Sequence, residues 1–406
     1  MPAPVSGKVC VVGLGYVGLP TAAVLASRGY DVHGVDVNPK AVETINSGRA
    51  HIVEPDLDLL VRAAVQTGKL KAFTAPAEAE VFVVCVPTPF KGAHEPDLSY
   101  VESATRLICP FIKPGNLVVL ESTSPPGTTE MMADIVAKET GLEPVQVHFA
   151  HAPERVLPGK VLREIVENDR IIGGIDDAST QACVDFYSTF VSGEIHTTDA
   201  RTAETAKLVE NAYRDVNIAF ANELSLLAEE LKLDVWELIR LANRHPRVNI
   251  LTPGCGVGGH CIAVDPWFLV SSAPVITRLI RTAREVNDHK PEWVIDRVKR
   301  KAARFKRPKI ACLGLAYKPD IDDLRESPAV HIVEKLLADK DLDADIAVVE
   351  PYVSSHPKFK LAPLEQSLAD ADIVLLLTAH RPFKKIPANQ LAEKIVIDAC
   401  GALRRS

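Results

Sequence analysis

The stretch KVCVVGLGYVGLP, residues 8–20, constrains the fold more than any other. A β-branched apolar run feeds directly into Gly13-x-Gly15-x-x-Gly18. An Ala-rich helical stretch follows, and YDVHGVDV carries a second apolar run up to Asp36. Strand, glycine turn, helix and a second strand closed by an acid form a βαβ unit, whose two strands must be parallel. In such a unit the first glycine permits the tight turn and the second lets the backbone approach a pyrophosphate. The third lets helix and strand pack closely, and the helix N-terminus offers its N–H groups to phosphate. Asp36 accepts hydrogen bonds from both ribose hydroxyls and repels a 2′-phosphate, which favours NAD over NADP.

The same rhythm continues through VFVVCVPT (81–88) and NLVVLEST (116–123), with helical stretches between, as in a doubly wound parallel sheet. From about Arg201 to Lys232 it gives way to one long helix without Gly or Pro. DVWELIRLANR and TRLIRTAREVNDHKPEWVIDRVKRKAARF add further helix. At RPKIACLGLAYKPD (307–320) the βαβ pattern restarts, and IACLGLAY, ADIAVVEP, ADIVLLLT and KIVIDAC read as strands. Leu313-Gly314-Leu315-Ala316-Tyr317-Lys318 is a weakened copy of Val12-Gly13-Leu14-Gly15-Tyr16-Val17, with Lys318 where the first copy has Val17. The expected architecture is α/β, with two Rossmann-like doubly wound domains (1–198 and 305–406) joined by a central helical region (199–304). The long helix is a natural surface for a homodimer or a higher homo-oligomer.

A net charge of −7 argues against nucleic acid as a partner, so an anionic substrate needs a local basic site. No apolar run approaches the roughly 18 residues needed to span a membrane, and the N-terminus lacks the pattern of a secretion signal. The eight cysteines are scattered without a C-x-x-C pair, which suggests neither a metal site nor a disulfide framework. A cytoplasmic protein is expected.

Several candidate positions carry chemistry. Thr88 and Thr123 place hydroxyls beyond the carboxyl ends of predicted strands, where open α/β sheets bind ligands. Glu204, Lys207, Asn211 and Arg214 share one face of the long helix, and Lys with Asn can stabilise a developing oxyanion. Glu154 and Arg155 lie in the Pro/Gly-bounded loop APERVLPG. Arg244, His245 and Arg247 form a basic segment suited to clamping a diphosphate. GVGGHCIAVDPW (256–267) sets Cys261 behind three glycines and ahead of Asp265. Taken alone, Cys261 is as well read as a small core residue as a nucleophile. With a dinucleotide site and the Lys207/Asn211 face in the same chain, the glycines read as clearance for a substrate beside a nucleophilic thiol.

With those residues assembled, the chain resembles the UDP-glucose/GDP-mannose dehydrogenase family over nearly its full length. The segments GLGYVGLP, CVPTP, APERVLPGK, the Lys207–Asn211 helix, GVGGHCIAVDPW and GLAYKPDIDDLRESPA match in order. The resemblance implies oxidation of a nucleotide-sugar C6 alcohol to a carboxylate at the expense of two NAD. Cys261 would form a thiohemiacetal and then a thioester, which water hydrolyses. It further implies Lys207 and Asn211 as acid/base and oxyanion partners, with Asp265, Glu154 and Thr123 in proton handling and water placement. Tyr16, Val17, Asp36, Lys40, Thr88, Thr123 and Arg325 would contact NAD. Arg155, Val156, Lys207, Asn211, Arg214, His245, Arg247, Gly258, Tyr317 and Lys318 would hold the UDP-sugar, with Arg244, His245 and Arg247 supplied across a dimer.

Two positions depart from the family pattern. UDP-glucose dehydrogenases carry a lysine three residues after the cysteine, where this chain has Val264. That points to the branch acting on UDP-linked acetamido sugars, N-acetylmannosamine first, with the N-acetylglucosamine, N-acetylgalactosamine and glucose forms as alternatives. Near the C-terminus Asp398-Ala399-Cys400-Gly401 has Cys400 where the family usually has a basic residue, unless Arg404 or Arg405 substitutes. Two other readings compete. A single-step hydroxyacid dehydrogenase needs neither Cys261 nor a second Rossmann-like domain, and a non-catalytic nucleotide-sugar sensor has no use for Lys207, Asn211 and Cys261 together.

Overall fold

The structure is a computed structural model and describes residues 7–403 except Ala93, Pro158 and His260. Residues 1–210 and 211–406 form two compact units, and the division falls inside the long helix Ala200–Glu230.

The strands of the first unit are β1 (Lys8–Val12), β2 (Asp31–Val35), β3 (Leu70–Phe73) and β4 (Val81–Val84). A short antiparallel hairpin of β5 (Phe90–Lys91) and β6 (Glu95–Pro96) follows, then β7 (Leu117–Leu120), β8 (His148–His151), β9 (Arg170–Gly174) and β10 (Ile195–Asp199). Apart from the hairpin they form one sheet in the order β10-β9-β8-β7-β4-β1-β2-β3. Both faces are buried: Val9 and Val11 enter one apolar cluster, while Cys10 and Val12 enter the other. Strands covered by helices on both faces read as continuous apolar runs, which is why β1, β4 and β7 are legible in sequence.

The sheet is parallel except where β9 runs antiparallel to β8, with β10 following β9 in parallel. These three strands escape a reading by apolar runs. HFAH is half histidine, RIIGG ends in two glycines, and IHTTD is mostly exposed.

The second unit holds β11 (Lys309–Leu313), β12 (Asp345–Val349), β13 (Ile373–Leu376) and β14 (Ile395–Asp398), all parallel, in the order β12-β11-β13-β14. Ile310 and Cys312 enter one cluster, and Ala311 and Leu313 enter another. The helix Arg278–Ala302 packs Val294, Ile295, Val298 and Ala302 into the first of these, so central-region helix and C-terminal sheet share a core. Among the described residues no helix is long and apolar enough to cross a membrane, and no group of His, Cys, Asp and Glu is arranged to hold a metal ion.

Candidate active site

The glycine loop between β1 and the helix Gly18–Ser27 separates three roles. Gly13 has φ +90°, and a Cβ there would lie 2.6 Å from the Cys85 carbonyl oxygen, so turn and close approach both demand glycine. A Cβ on Gly18 would sit 1.8 Å from the Gly13 oxygen. Gly15 meets nothing within 4 Å, which leaves its backbone open to a ligand. Asp36 lies one residue beyond β2. It accepts from the Leu14 amide at 3.0 Å and from the Asn38 amide at 2.8 Å while remaining half-exposed. An open glycine, a helix N-terminus and an accessible acid fit NAD. Tyr16 is exposed and Val17 half-buried beside them, and Lys40 is exposed in the first turn of the helix Pro39–Asn46.

β4 ends at Val84 and β7 at Leu120, so Thr88 and Thr123 lie in the loops beyond the carboxyl ends. The two meet there, with the Thr88 hydroxyl donating to the Thr123 carbonyl at 2.6 Å. Beneath these loops lies a buried ionic cluster. Arg170 stands 2.6 Å from Glu154 and 3.9 Å from Glu121, both buried, and its guanidinium stacks 5.0 Å over the Tyr187 ring. The hydroxyls of Tyr187 and Thr21 and the Cys85 thiol donate to Glu121. Burial pushes Glu121 above the usual carboxylate range against the pull of Arg170. His151, at the end of β8, is driven down to about 3 by burial, with the Lys207 charge adding to the effect, so its imidazole is neutral. Glu154 turns its other oxygen to the Arg155 amide at 2.7 Å. The Arg155 side chain reaches Glu210 on the long helix and the Asp169 carbonyl, and Val156 beside it is half-buried.

The face proposed for the long helix splits. Glu204 is fully buried: it accepts from the Gly127 amide and from the amide and hydroxyl of Thr129. Its carboxylate thus caps the helix Thr128–Thr140, whose own N-cap residue, Gly127, has no side chain to do so. Lys207 is half-buried and Arg214 exposed. In the second unit Asn211 donates to Asp265 at 2.6 Å, so two residues drawn from distant parts of the sequence meet.

Cys261 is exposed and opens a turn in which its carbonyl accepts from the amides of Val264 and Asp265. The helix Asp265–Ser272 starts there, with Asp265 buried in its first turn, where a carboxylate is favoured. The glycines ahead of the cysteine serve a different neighbour from the one expected. A Cβ on Gly258 would lie 2.8 Å from the Tyr317 Cβ and 2.5 Å from the Glu326 carbonyl oxygen. On Gly259 it would lie 2.9 Å from the Tyr317 ring. The room they leave is taken by the β11 loop, which brings Gly258 and Tyr317 together. Upstream, the Gly254 amide donates to Asn222, Asn222 donates to Asn287, and Asn287 donates to Asp215. Arg284 pairs with Asp215 inside the same fully buried network.

Three family models match the chain consecutively. The NAD binding domain of the UDP-glucose/GDP-mannose dehydrogenase family covers residues 7–191, its central domain 201–289 and its UDP binding domain 311–405. The chain belongs to the UDP-glucose/GDP-mannose dehydrogenase family. It is an oxidoreductase that uses NAD. The chain is 56% identical over 405 residues to an NDP-N-acetyl-D-galactosaminuronic acid dehydrogenase of Ralstonia nicotianae, covering 97% of this chain and 95% of that one. It is 54% identical over 400 residues to a UDP-N-acetyl-D-mannosamine dehydrogenase of Campylobacter jejuni, covering 95% and 98%. A solved UDP-D-ManNAc dehydrogenase from Pyrococcus horikoshii superposes with a TM-score of 0.89 at 42% identity, covering 98% of this chain and 96% of that one.

In this family member the remaining candidates are scattered over loops. Arg244, His245 and Arg247 are exposed on a loop that Asn243 pins by hydrogen bonds to and from the Ile250 backbone. Lys318 is exposed, and Arg325 forks onto Asp323 at 2.7 to 3.1 Å. Burial pushes the Tyr317 hydroxyl above its ordinary value, and the Asp323 charge adds to this. Cys400 points its thiol at the Leu376 carbonyl and Asp398, and burial drives it well above the usual thiol range. Arg404 and Arg405 lie outside the described residues. Sequence reasoning missed Arg170, Glu121 and the Asn222–Asn287 bridge. The spacing of a charged residue opening a strand, as Arg170 does in RIIGG, was the one available signal.

Proposed function

We propose that the protein oxidises the C6 alcohol of a UDP-linked acetamido sugar to the carboxylate, with UDP-N-acetyl-D-mannosamine as substrate, through a covalent adduct on Cys261. One observation carries the reading: an exposed thiol opens the turn that places Asp265, buried and held by Asn211, at the head of a helix. NAD, when bound, accepts a hydride in each of two oxidation steps. Asp36, the Gly15 backbone, Tyr16, Val17, Lys40, Thr88, Thr123 and Arg325 are the residues assigned to hold it.

The chain's own groups handle protons and the acyl centre. Lys207 takes the alcohol proton and, with Asn211, stabilises the oxyanion that forms when the Cys261 thiolate adds to the aldehyde. The tetrahedral adduct gives up hydride more readily than a free aldehyde, which is why a thiol is needed. Asp265, Glu154 and Thr123 orient the water that cleaves the thioester, returning the thiol and releasing the acid. Arg155, Val156, Arg214, Gly258, Tyr317 and Lys318 bind the nucleotide-sugar.

Val264, where a lysine would favour glucose, supports the acetamido assignment. The 56% identity to a galactosaminuronic acid dehydrogenase favours N-acetylgalactosamine as the second reading. We assign the three stretches 1–198, 199–304 and 305–406 to cofactor, dimerisation and nucleotide-sugar binding. Tyr213, Phe220 and Leu227 repeat along one side of the long helix and are all exposed, which suits a homodimer with Arg244, His245 and Arg247 reaching the partner's site.

The test is to incubate the enzyme with NAD and a panel of UDP-sugars and to count NADH per sugar consumed. Two NADH per UDP-N-acetyl-D-mannosamine are expected, and Cys261→Ala should bind NAD yet form no acid. One NADH per sugar, or full activity in Cys261→Ala, would sink the covalent mechanism.

A further inference from the structure

The β11 loop is held at both ends by groups that the reaction does not use. Glu350 follows β12 directly, and both side-chain oxygens are occupied. One accepts from the Leu315 amide at 2.7 Å, the Ala316 amide at 3.2 Å and the His380 Nε2 at 3.1 Å, and the other accepts from the Tyr352 amide at 3.0 Å. His380 is fully buried, and its Nδ1 stands 2.9 Å from the Asp320 amide nitrogen. An amide can only donate, so Nδ1 is the acceptor and Nε2 carries the proton given to Glu350.

Asp320 is a non-glycine residue at φ +62°, a conformation that persists where surroundings hold it. Its carboxylate accepts from the Tyr352 hydroxyl and the Arg381 amide, both at 2.8 Å, and from the Arg381 guanidinium at 3.1 Å. Between the two anchored ends, Leu315–Ala316 and Asp320, stand Tyr317 and Lys318. Tyr317 in turn fills the space left by Gly258 and Gly259.

We propose that His380 is a positioning residue for the nucleotide half of the substrate: by joining Glu350 to the Asp320 amide it fixes the 315–320 loop so that Tyr317 and Lys318 are presented to the uridine diphosphate. The inference rests on the assignment of Tyr317 and Lys318 to the nucleotide-sugar. It assigns no part of the chemistry to His380, so loss of the latch changes substrate affinity and leaves the chemical step and NAD binding alone.

Two substitutions separate the two ring nitrogens. His380→Asn keeps an acceptor near the Nδ1 position for the Asp320 amide, whereas His380→Gln keeps a donor near Nε2 for Glu350 and drops that acceptor. His380→Gln should raise KM for the UDP-sugar about tenfold, the loss of one hydrogen bond that leaves the half-buried Asp320 amide without its acceptor, with kcat within about twofold and KM for NAD unchanged. His380→Asn should stay within about threefold of the parent on every parameter, because it keeps the bond to the Asp320 amide, while Glu350, deprived of the Nε2 donor, still accepts from the amides of Leu315, Ala316 and Tyr352. Asp320→Gly tolerates the positive φ and so folds, but it loses the carboxylate contacts; its KM for the UDP-sugar should rise in the same direction.

An unchanged KM in His380→Gln or Asp320→Gly, equal damage from Asn and Gln, or a parallel rise in KM for NAD overturns the proposal. Lys318→Ala tells the two layers apart. If it leaves KM for the UDP-sugar unchanged, the nucleotide assignment itself fails. If it raises that KM while His380→Gln does not, the positioning role alone fails.

Discussion

The two βαβ openings of this chain share a scaffold, and the acid beyond the second strand serves each of them differently. After β1 the Gly13 amide donates to the Val35 carbonyl at 2.8 Å, and after β11 the Gly314 amide does the same to Val349 at 2.8 Å. Both glycines have positive φ, and a Cβ on either would strike the neighbouring loop, Cys85 in one case and Thr378 in the other. Beyond the second strand, Asp36 stays half-exposed with two amide donors, whereas Glu350 is buried and takes four donors. An acid that is accessible can receive a ribose. One that is consumed by its own loop becomes part of the frame. The same topological switch point thus stays open to a ligand in the first half, while in the second half its acid buttresses the loop that carries Tyr317 and Lys318.

The comparison can be broken by substitution. The largest effect is expected from Gly18→Ala: with a Cβ 1.8 Å from a backbone oxygen, the cost exceeds about 4 kcal/mol, and soluble folded protein should be lost. Retention of the parent Tm would refute the packing role of Gly18. Next, Glu350→Ala should destabilise by about 1–3 kcal/mol, since buried amides and His380 lose their acceptor, with NAD affinity unchanged in the surviving folded protein. Asp36→Ala should do the reverse, weakening NAD about 10- to 100-fold in a binding titration while Tm moves little. If both acids affect Tm alike, the distinction between them is wrong.

A smaller effect follows from pH. Burial alone would raise Glu350, but the hydrogen bonds from His380 and the amides of Leu315 and Tyr352 hold it below its ordinary value. A carboxyl depressed in the folded state contributes stability above its unfolded pKa, about 4.3, and loses that contribution as pH falls through the folded value. Thermal unfolding followed from pH about 5 downward should therefore fall more steeply in the parent than in Glu350→Gln. Parallel curves would show that Glu350 is not the titrating group. Smallest in stability is Gly15→Ala, which meets nothing within 4 Å and should keep its Tm while binding NAD more weakly.

The first βαβ opening was legible because its signals are local. Strand, glycine turn and acid lie within one short window, and Gly13 and Gly18 each have a separate spatial reason. The second half kept only one of the glycines, and Glu350, the counterpart of Asp36, passed unnoticed in ADIAVVEP for want of a fingerprint around it. The Thr88–Thr123 and Asn211–Asp265 pairs were nominated residue by residue, but no spacing reveals that they touch. Glu204 parts from Lys207 and Arg214 because periodicity shows which residues share a side, not what covers it. The cap at Thr129 lies far off in sequence. Arg170 and the strands β8 to β10 were hidden by histidines and glycines where apolar runs were sought, and Gly258 and Gly259 make room for Tyr317, which only the folded chain brings near.

The most direct test of this division of labour is calorimetric titration of the intact protein with NAD and with UDP, each alone and each in the presence of the other. One NAD and one UDP per chain are expected, neither displacing the other. Asp36→Ala should weaken only NAD, and Lys318→Ala only UDP. Two NAD per chain, or displacement of one ligand by the other, would contradict it.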